Sequence, residues 1–144
     1  MTYRLDGIMN IMASGLSAQS IRMNATASNL ANAGSMGDSE ENTYRSKHPV
    51  FQEVKQQIAG LSGGDQQIGG VRVIDIMKSQ KPLQSHYDPD NPLADKDGRV
   101  FMTDVDPIAE MTDMIAASKE YTADVEVMNT TKSLLLKTIR AMNT

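Results

Sequence analysis

Apolar residues near the end of the chain recur at alternating steps of three and four. Met111, Met114, Tyr121, Val125, Met128, Leu135, Ile139 and Met142 keep this alternation, with Ser118 and Lys132 in its two polar slots. A period of 3.5 is the heptad signature of a helix that packs along a partner helix. Asp106 followed by Pro107 predicts its start, a capping carboxylate and then proline at the first helical position. No Gly or Pro interrupts the stretch from there to Met142. Such a helix is about 54 Å long at 1.5 Å per residue. Glu110 and Asp113 near its start, and Lys137 and Arg140 near its end, suit the helix dipole. A chain this small has no compact core along which to bury so long a seam, so a second long helix is expected.

The first 34 residues supply one. Leu5, Ile8, Met12, Leu16, Met23, Ala27 and Leu30 form one apolar stripe at helical spacing, and Ile11, Ala18, Ile21 and Ala25 form another. Two apolar faces imply burial from two sides. Between Met1 and Gly34 only Arg4, Asp6 and Arg22 are charged, and the polar positions are mostly Ser and Asn. Small neutral polar residues permit close helix approach and hydrogen-bond across an interface without burying charge. The expectation is that the first stripe packs on the heptad seam of the same chain and the second face meets adjacent subunits.

Between the helices lie eight of the ten Gly and four of the five Pro. Val50, Phe51, Val54 and Ile58 fit a strand end or a short amphipathic helix. Gly60, Gly63, Gly64, Gly69 and Gly70 predict a flexible loop, and the β-branched alternation from Val71 to Met77 predicts a strand. Asp-Pro and Asn-Pro steps within 86–92 force turns. Asp97-Gly98 predicts a hairpin turn into Arg99–Met102. The expected fold is mainly α with a small β region. Long terminal helices pair as a coiled coil around a central loop and β-hairpin segment. Residues 1–34, 35–105 and 106–144 are the three expected parts, the first and last forming one discontinuous unit.

Composition narrows the function. The net charge is −4, which argues mildly against nucleic acid as a partner. Aromatics are few and Met numerous, at 11, which suits partner-facing surfaces. Cysteine is absent, so thiol nucleophiles, disulfides and cysteine metal sites are excluded. The stretch 8–16 is too short and polar to span a bilayer and lacks the unbroken apolar run of a signal peptide.

No arrangement reads as an active site or a cofactor site. Aligning Asp95, Asp97 and Gly98 with a calcium loop puts Leu93 at the first ligand position, where leucine cannot coordinate. Turn chemistry accounts for the same aspartates. His48 and His86 are isolated from other ligands, and the glycines at 60–70 lack a phosphate-loop ending. Neither an enzyme nor a metal protein is expected.

The segment Ser14-Gly15-Leu16, Ala18-Gln19, Arg22-Met23-Asn24 and Ala27-Ser28-Asn29-Leu30-Ala31-Asn32 closely resembles the N-terminal signature of bacterial flagellar axial proteins, the rod, hook and hook-associated family. Tyr44-Arg45-x-Lys47, Val50-Phe51, Gly70-Val71-x-Val73 and Tyr87-Asp88-Pro89-x-x-Pro92-x-Ala94-Asp95 resemble the proximal rod branch. So does the stretch from Glu110-Met111 through Asp113-Met114-Ile115, Ala117-Ser118 and Tyr121 to Ala123. The sequence departs from that pattern after Asn32, at Asn91 and at 103–105.

The resemblance implies a structural subunit of a helical tube that carries torque from the inner-membrane ring toward the hook. It implies partners among copies of itself, other rod proteins and the inner-membrane ring and export apparatus. It also implies type III export without a cleaved signal peptide. The residues expected to carry assembly and packing are Leu16, Arg22, Met23, Asn24, Asn29, Leu30 and Asn32 on the first helix. On the second they are Met111, Met114, Tyr121, Val125, Met128 and Leu135. Tyr87, Asp88, Pro89 and Pro92 are the central motif. Another axial component, or a soluble coiled-coil adaptor or chaperone, are the alternatives.

Overall fold

A computed structural model describes residues 2–57 and 67–142. Two long helices enclose five strands in the chain order. Helix α1 spans Thr2–Ala31, and helix α2 spans Pro107–Met142. Between them come β1 (Met36–Gly37), β2 (Lys47–Gln57), β3 (Gln67–Lys78), β4 (Gln84–Tyr87) and β5 (Arg99–Met102).

Local chemistry sets the ends. Asp106 caps α2, its Oδ1 accepting from the N–H groups of Ile108 at 2.9 Å and Ala109 at 3.4 Å. The end of α1 tightens into turns, and the Asn32 amide donates to the Ser28 carbonyl at 2.8 Å.

The strands form two antiparallel sheets. β2 and β3 make a hairpin of 11 and 12 residues, from Lys47 opposite Lys78 to Gln57 opposite Gln67. A bulge between Val50 and Phe51 leaves Ile74 without a partner in the ladder. The second sheet has the order β1-β5-β4. Val100, on its central strand, is 1% exposed, and Leu83 and Val105, close in sequence to the sheet strands, are also buried. Gly98 enters β5 with a φ of 71°, a left-handed turn conformation that disfavours any side chain.

Helix α1 lies between the other two large elements, touching α2 along one side and the β2–β3 hairpin along another. This corrects the expected fold in three respects. The β part is two sheets rather than a small region, and β2 is a full strand rather than a strand end or short helix. Gly69 and Gly70 lie inside β3, while Ile58, Gly60, Gly63 and Gly64 fall outside the described residues.

The second correction is that the helices do not pair as a coiled coil on the predicted seam. Glu110, Ala117 and Thr131 are buried and Asp124 is half-buried, a seven-residue repeat one position before the predicted Met111, Ser118, Val125 and Lys132. Met111 is 54% exposed. The physical reason is close approach. A Cβ on Gly15 of α1 would stand 2.8 Å from the Asp124 carboxylate. That spacing suits small and mutually bonded polar side chains and leaves little room for a row of methionines.

The third correction concerns the second apolar face of α1. Ile11, Ala18 and Ile21 face β3 across a shallow groove whose other wall includes Val54, Val71 and Val73. Ala25 and Ile21 border a second hollow with Ile76. The chain covers this face with its own hairpin. Ser14 Oγ, which donates to the Ile11 carbonyl at 2.7 Å, accepts from the Val71 N–H at 3.1 Å. The helix thereby satisfies a strand N–H that the ladder leaves open.

Candidate assembly interface

The best-organised polar site is the junction of α1, β2 and α2. Asn29 sits at its centre and is fully buried. Its Nδ2 donates to the Lys47 carbonyl at 2.9 Å and to Glu110 Oε1 at 3.0 Å. Its Oδ1 accepts from the Lys47 N–H at 2.8 Å and from the Tyr44 hydroxyl at 3.0 Å. All four bonds that an amide makes are thus filled. Tyr44 also shares a bond with Ser28 at 2.9 Å, and the Lys47 ammonium lies 5.2 Å from the Tyr44 ring centroid. One asparagine ties three elements together.

One face of α1 continues this polar contact toward its start. Arg22 pairs with Asp113 at 3.1 Å and reaches Glu120 at 3.7 Å. Gln19 donates to the same Glu120 carboxylate. These groups are partly exposed, so each ion pair adds little stability, and together they fix how far one helix slides along the other.

A second polar node closes the base of the hairpin. Asp104 accepts from the Ser46 N–H at 2.7 Å and the Ser46 hydroxyl at 3.1 Å. Burial by itself raises the Asp104 pKa, but hydrogen bonds from Ser79 and Ser46 outweigh it and hold the carboxyl below its ordinary value. Arg45 spans the same region, bonded to the Lys81 carbonyl at 2.7 Å and to Glu40 at 3.2 Å.

The expected site residues separate into groups. Arg22 and Asn29 meet α2 through the bonds described, and Asn32 turns inward on its own helix. Leu16, Met23, Leu30, Met114, Val125, Met128 and Leu135 are each half-buried, while Tyr121 is 36% exposed. Asn24 is exposed at the rim of the hollow beneath Ile76.

Tyr87, Asp88, Pro89 and Pro92 lie apart from the helices, at the end of β4 and in the loop that follows. The Asp88 N–H donates to the Gly98 carbonyl at 2.9 Å. Asp95 Oδ1 accepts from the N–H groups of Asp97 and Arg99, both at 2.8 Å. The aspartates shape a turn, and the described residues contain no group of three or more His, Asp or Glu able to hold a metal ion.

Sequence reasoning passed over Tyr44, Glu110 and Asp113 as site residues. Glu110 and Asp113 carry a signal, since both sit in the first turns of α2 and in the stretch that resembles the rod family, but the sequence gives them no role beyond the helix dipole.

Comparison with known proteins bears on what this interface belongs to. A family model described as flagella basal body rod protein matches residues 9–34, and one described as the C-terminal part of flagellar basal body rod FlgEFG proteins matches residues 96–141. The flagellar basal-body rod protein FlgC of Salmonella typhimurium is 45% identical, covering 92% of this chain and 93% of that protein. The chain belongs to the FlgC family of flagellar basal-body rod proteins. The Yersinia enterocolitica FlgC is 48% identical over the same shares, and the Bacillus subtilis FlgC is 33% identical over 91% of this chain. As a FlgC-family member the chain is a structural component of the flagellar basal-body rod and not an enzyme. No helix among the described residues is long and apolar enough to cross a membrane.

Proposed function

We propose that copies of this chain assemble side by side through α1 and α2 into the proximal part of the rod, a helical tube that transmits torque from the inner-membrane ring toward the hook. One observation carries the reading. Large apolar residues of α2 remain uncovered in the single chain: Ile108 is 77% exposed, Ile115 58%, Leu134 55% and Met111 54%. Water-exposed apolar rows on a long helix favour contact with another protein surface.

The half-buried Leu16, Met23 and Leu30 of α1, with Met114, Met128 and Leu135 of α2, complete their burial in that assembly. Residues 1–34 and 106–144 form its axial unit, and residues 35–105 face neighbouring components. Other rod proteins and the inner-membrane ring and export apparatus are the remaining partners. The chain reaches the periplasm-spanning rod through the flagellar type III apparatus without a cleaved signal peptide.

Electron cryotomography of basal bodies in a strain lacking this chain tests the reading. Loss of rod and hook with the inner-membrane ring intact is expected. A normal rod and filament overturns it.

A further inference from the structure

The β2–β3 hairpin has two outer edges, and side chains close most of their length. In an antiparallel ladder the N–H and C=O of alternate residues point away from the partner strand. Lys47 holds such a position, since the neighbouring Ser79 N–H bonds the Ser46 carbonyl, and Asn29 occupies both outward groups of Lys47. Pro49, two residues on, has no N–H to offer. On β3 the outward Ile76 N–H donates to the Asp75 carboxylate at 2.7 Å, and the Lys78 carbonyl accepts from Gln80 at 3.4 Å. Toward the tip, Ser14 takes the Val71 N–H. Edges closed in this way resist unwanted strand pairing.

One stretch stays open. Glu53 lies opposite Val71, and Phe51 opposite Val73. Because the Val71 N–H points out of the ladder, the N–H and C=O of Glu53 and Phe51 point out of it on the other side. Nothing among the described residues bonds to them. Helix α1 meets the β2 edge at Lys47 but the β3 edge at Val71, so the twist of the ribbon turns the β2 edge from Phe51 onward away from α1. A second open edge belongs to β4, which ends the order β1-β5-β4 with all of its residues exposed. The bond from the Asp88 N–H to the Gly98 carbonyl fixes its register, and Ser85 and Tyr87 then turn their backbone groups outward. At the far side of that sheet, β1 is only 2 residues long.

We propose that β4 of a neighbouring copy of this chain adds to the open edge of β2, antiparallel, with Tyr87 opposite Phe51 and Ser85 opposite Glu53. The proposal rests on the self-assembly reading above and names a contact made outside the helices. The outward positions of the two edges share one spacing, so each facing pair exchanges both of its N–H···O bonds. Within one chain, neither strand of the hairpin touches a strand of the other sheet. In this register Phe51, 42% exposed, meets Tyr87, 69% exposed, as a cross-strand aromatic pair. Unlike edges meet, so the contact is head-to-tail and propagates from copy to copy. A strand as short as β4 binds weakly by itself, and helix contacts supply the local concentration at which the edge closes.

Gln52 and His86 face each other in this register at a non-hydrogen-bonded position, about 4.5 Å apart between Cα atoms. A disulfide bridges that span, and the chain has no cysteine of its own. Gln52→Cys and His86→Cys are introduced singly and together, and isolated basal bodies are oxidised. Disulfide-linked multiples are expected from the double variant and from neither single one. Rods that contain the double variant yet yield no multiples overturn this contact and leave the rod reading intact. Multiples from a single-cysteine variant mean that like edges meet, which also overturns it.

Backbone chemistry supplies an independent readout. Glu53→Pro removes the outward N–H and spares the ladder to β3, whereas Glu53→Ala keeps that N–H. Glu53→Pro is expected to lower incorporation into rods several-fold while the circular dichroism of the purified chain matches the parent. Glu53→Ala is expected to assemble like the parent. Equal incorporation of the two variants overturns the proposal. Absence of the unaltered chain from rods counts against the functional reading itself.

Discussion

Asn29 is the residue on which the most bonds converge. Replacing it with Leu removes an amide of similar size and leaves the Lys47 N–H and carbonyl, the Tyr44 hydroxyl and Glu110 without that partner. Stranded buried polar groups cost about 1–3 kcal/mol each where water cannot reach them. The expected loss for Asn29→Leu is about 2–5 kcal/mol, allowing some access of water. Urea unfolding of the purified chain checks it. Asp104 gives a pH signature. Its folded pKa lies below the ordinary aspartate value of 3.8, so its stabilisation is present above that value and fades as pH falls through the lowered folded pKa. Asp104→Asn is expected to flatten the acid limb of a stability-against-pH profile and to leave its shape above pH 5, well past that ordinary value, unchanged.

Among the elements, α2 shows what a sequence pattern marks. The Asp106-Pro107 pair announced its start because capping and proline preference are local. Which side it buries was not legible in the same way. The heptad reading selected Met111 and Val125 for their hydrophobicity, whereas the chain buries Ala117, Glu110 and Thr131, which are small or hold a polar partner. Periodicity reports the sum of all surfaces a helix covers, including those covered only after assembly. Asn29 was legible as an interface residue, but its partners Tyr44 and Glu110 were not, because their meeting depends on tertiary placement. Ala117→Leu is therefore expected to destabilise the single chain by about 1–3 kcal/mol through overpacking. Met111→Ala is expected to change it by less than about 0.5 kcal/mol. Thermal unfolding of the two variants side by side separates the two phases. The turn before β5 is similarly local: Gly98→Ala puts a Cβ 2.9 Å from the Tyr87 ring at a φ of 71°. A loss of about 1–2 kcal/mol is expected there, read by the same method.

For the whole molecule, the layered order of hairpin, α1 and α2 leaves large apolar residues exposed on its outer elements, among them Ile108, Ile115 and Leu134 of α2 and Ile74 and Met77 of the hairpin. Stability of one chain and competence to assemble are then separable. Ile115→Glu is expected to leave monomer unfolding within about 0.5 kcal/mol of the parent, because Ile115 is already 58% exposed. The same variant is expected to abolish swimming and rod formation, which motility agar and micrographs of basal bodies record. A swimming strain would show that this face of α2 meets nothing.

The polar ties of α1 also set a timetable. Arg22 waits for Asp113, 91 residues downstream; Gln19 waits for Glu120, 101 residues on; and Asn29 waits for Glu110, 81 residues on. A chain emerging from its N-terminus has its first helix out long before any of these counterparts. An isolated helix of that kind is marginal in water. Closure of the helix pair is thus deferred until α2 has emerged, whereas the ties of α1 to the hairpin, Asn29 with Lys47 and Ser14 with Val71, have their partners much sooner, so the hairpin side of α1 is settled before its α2 side.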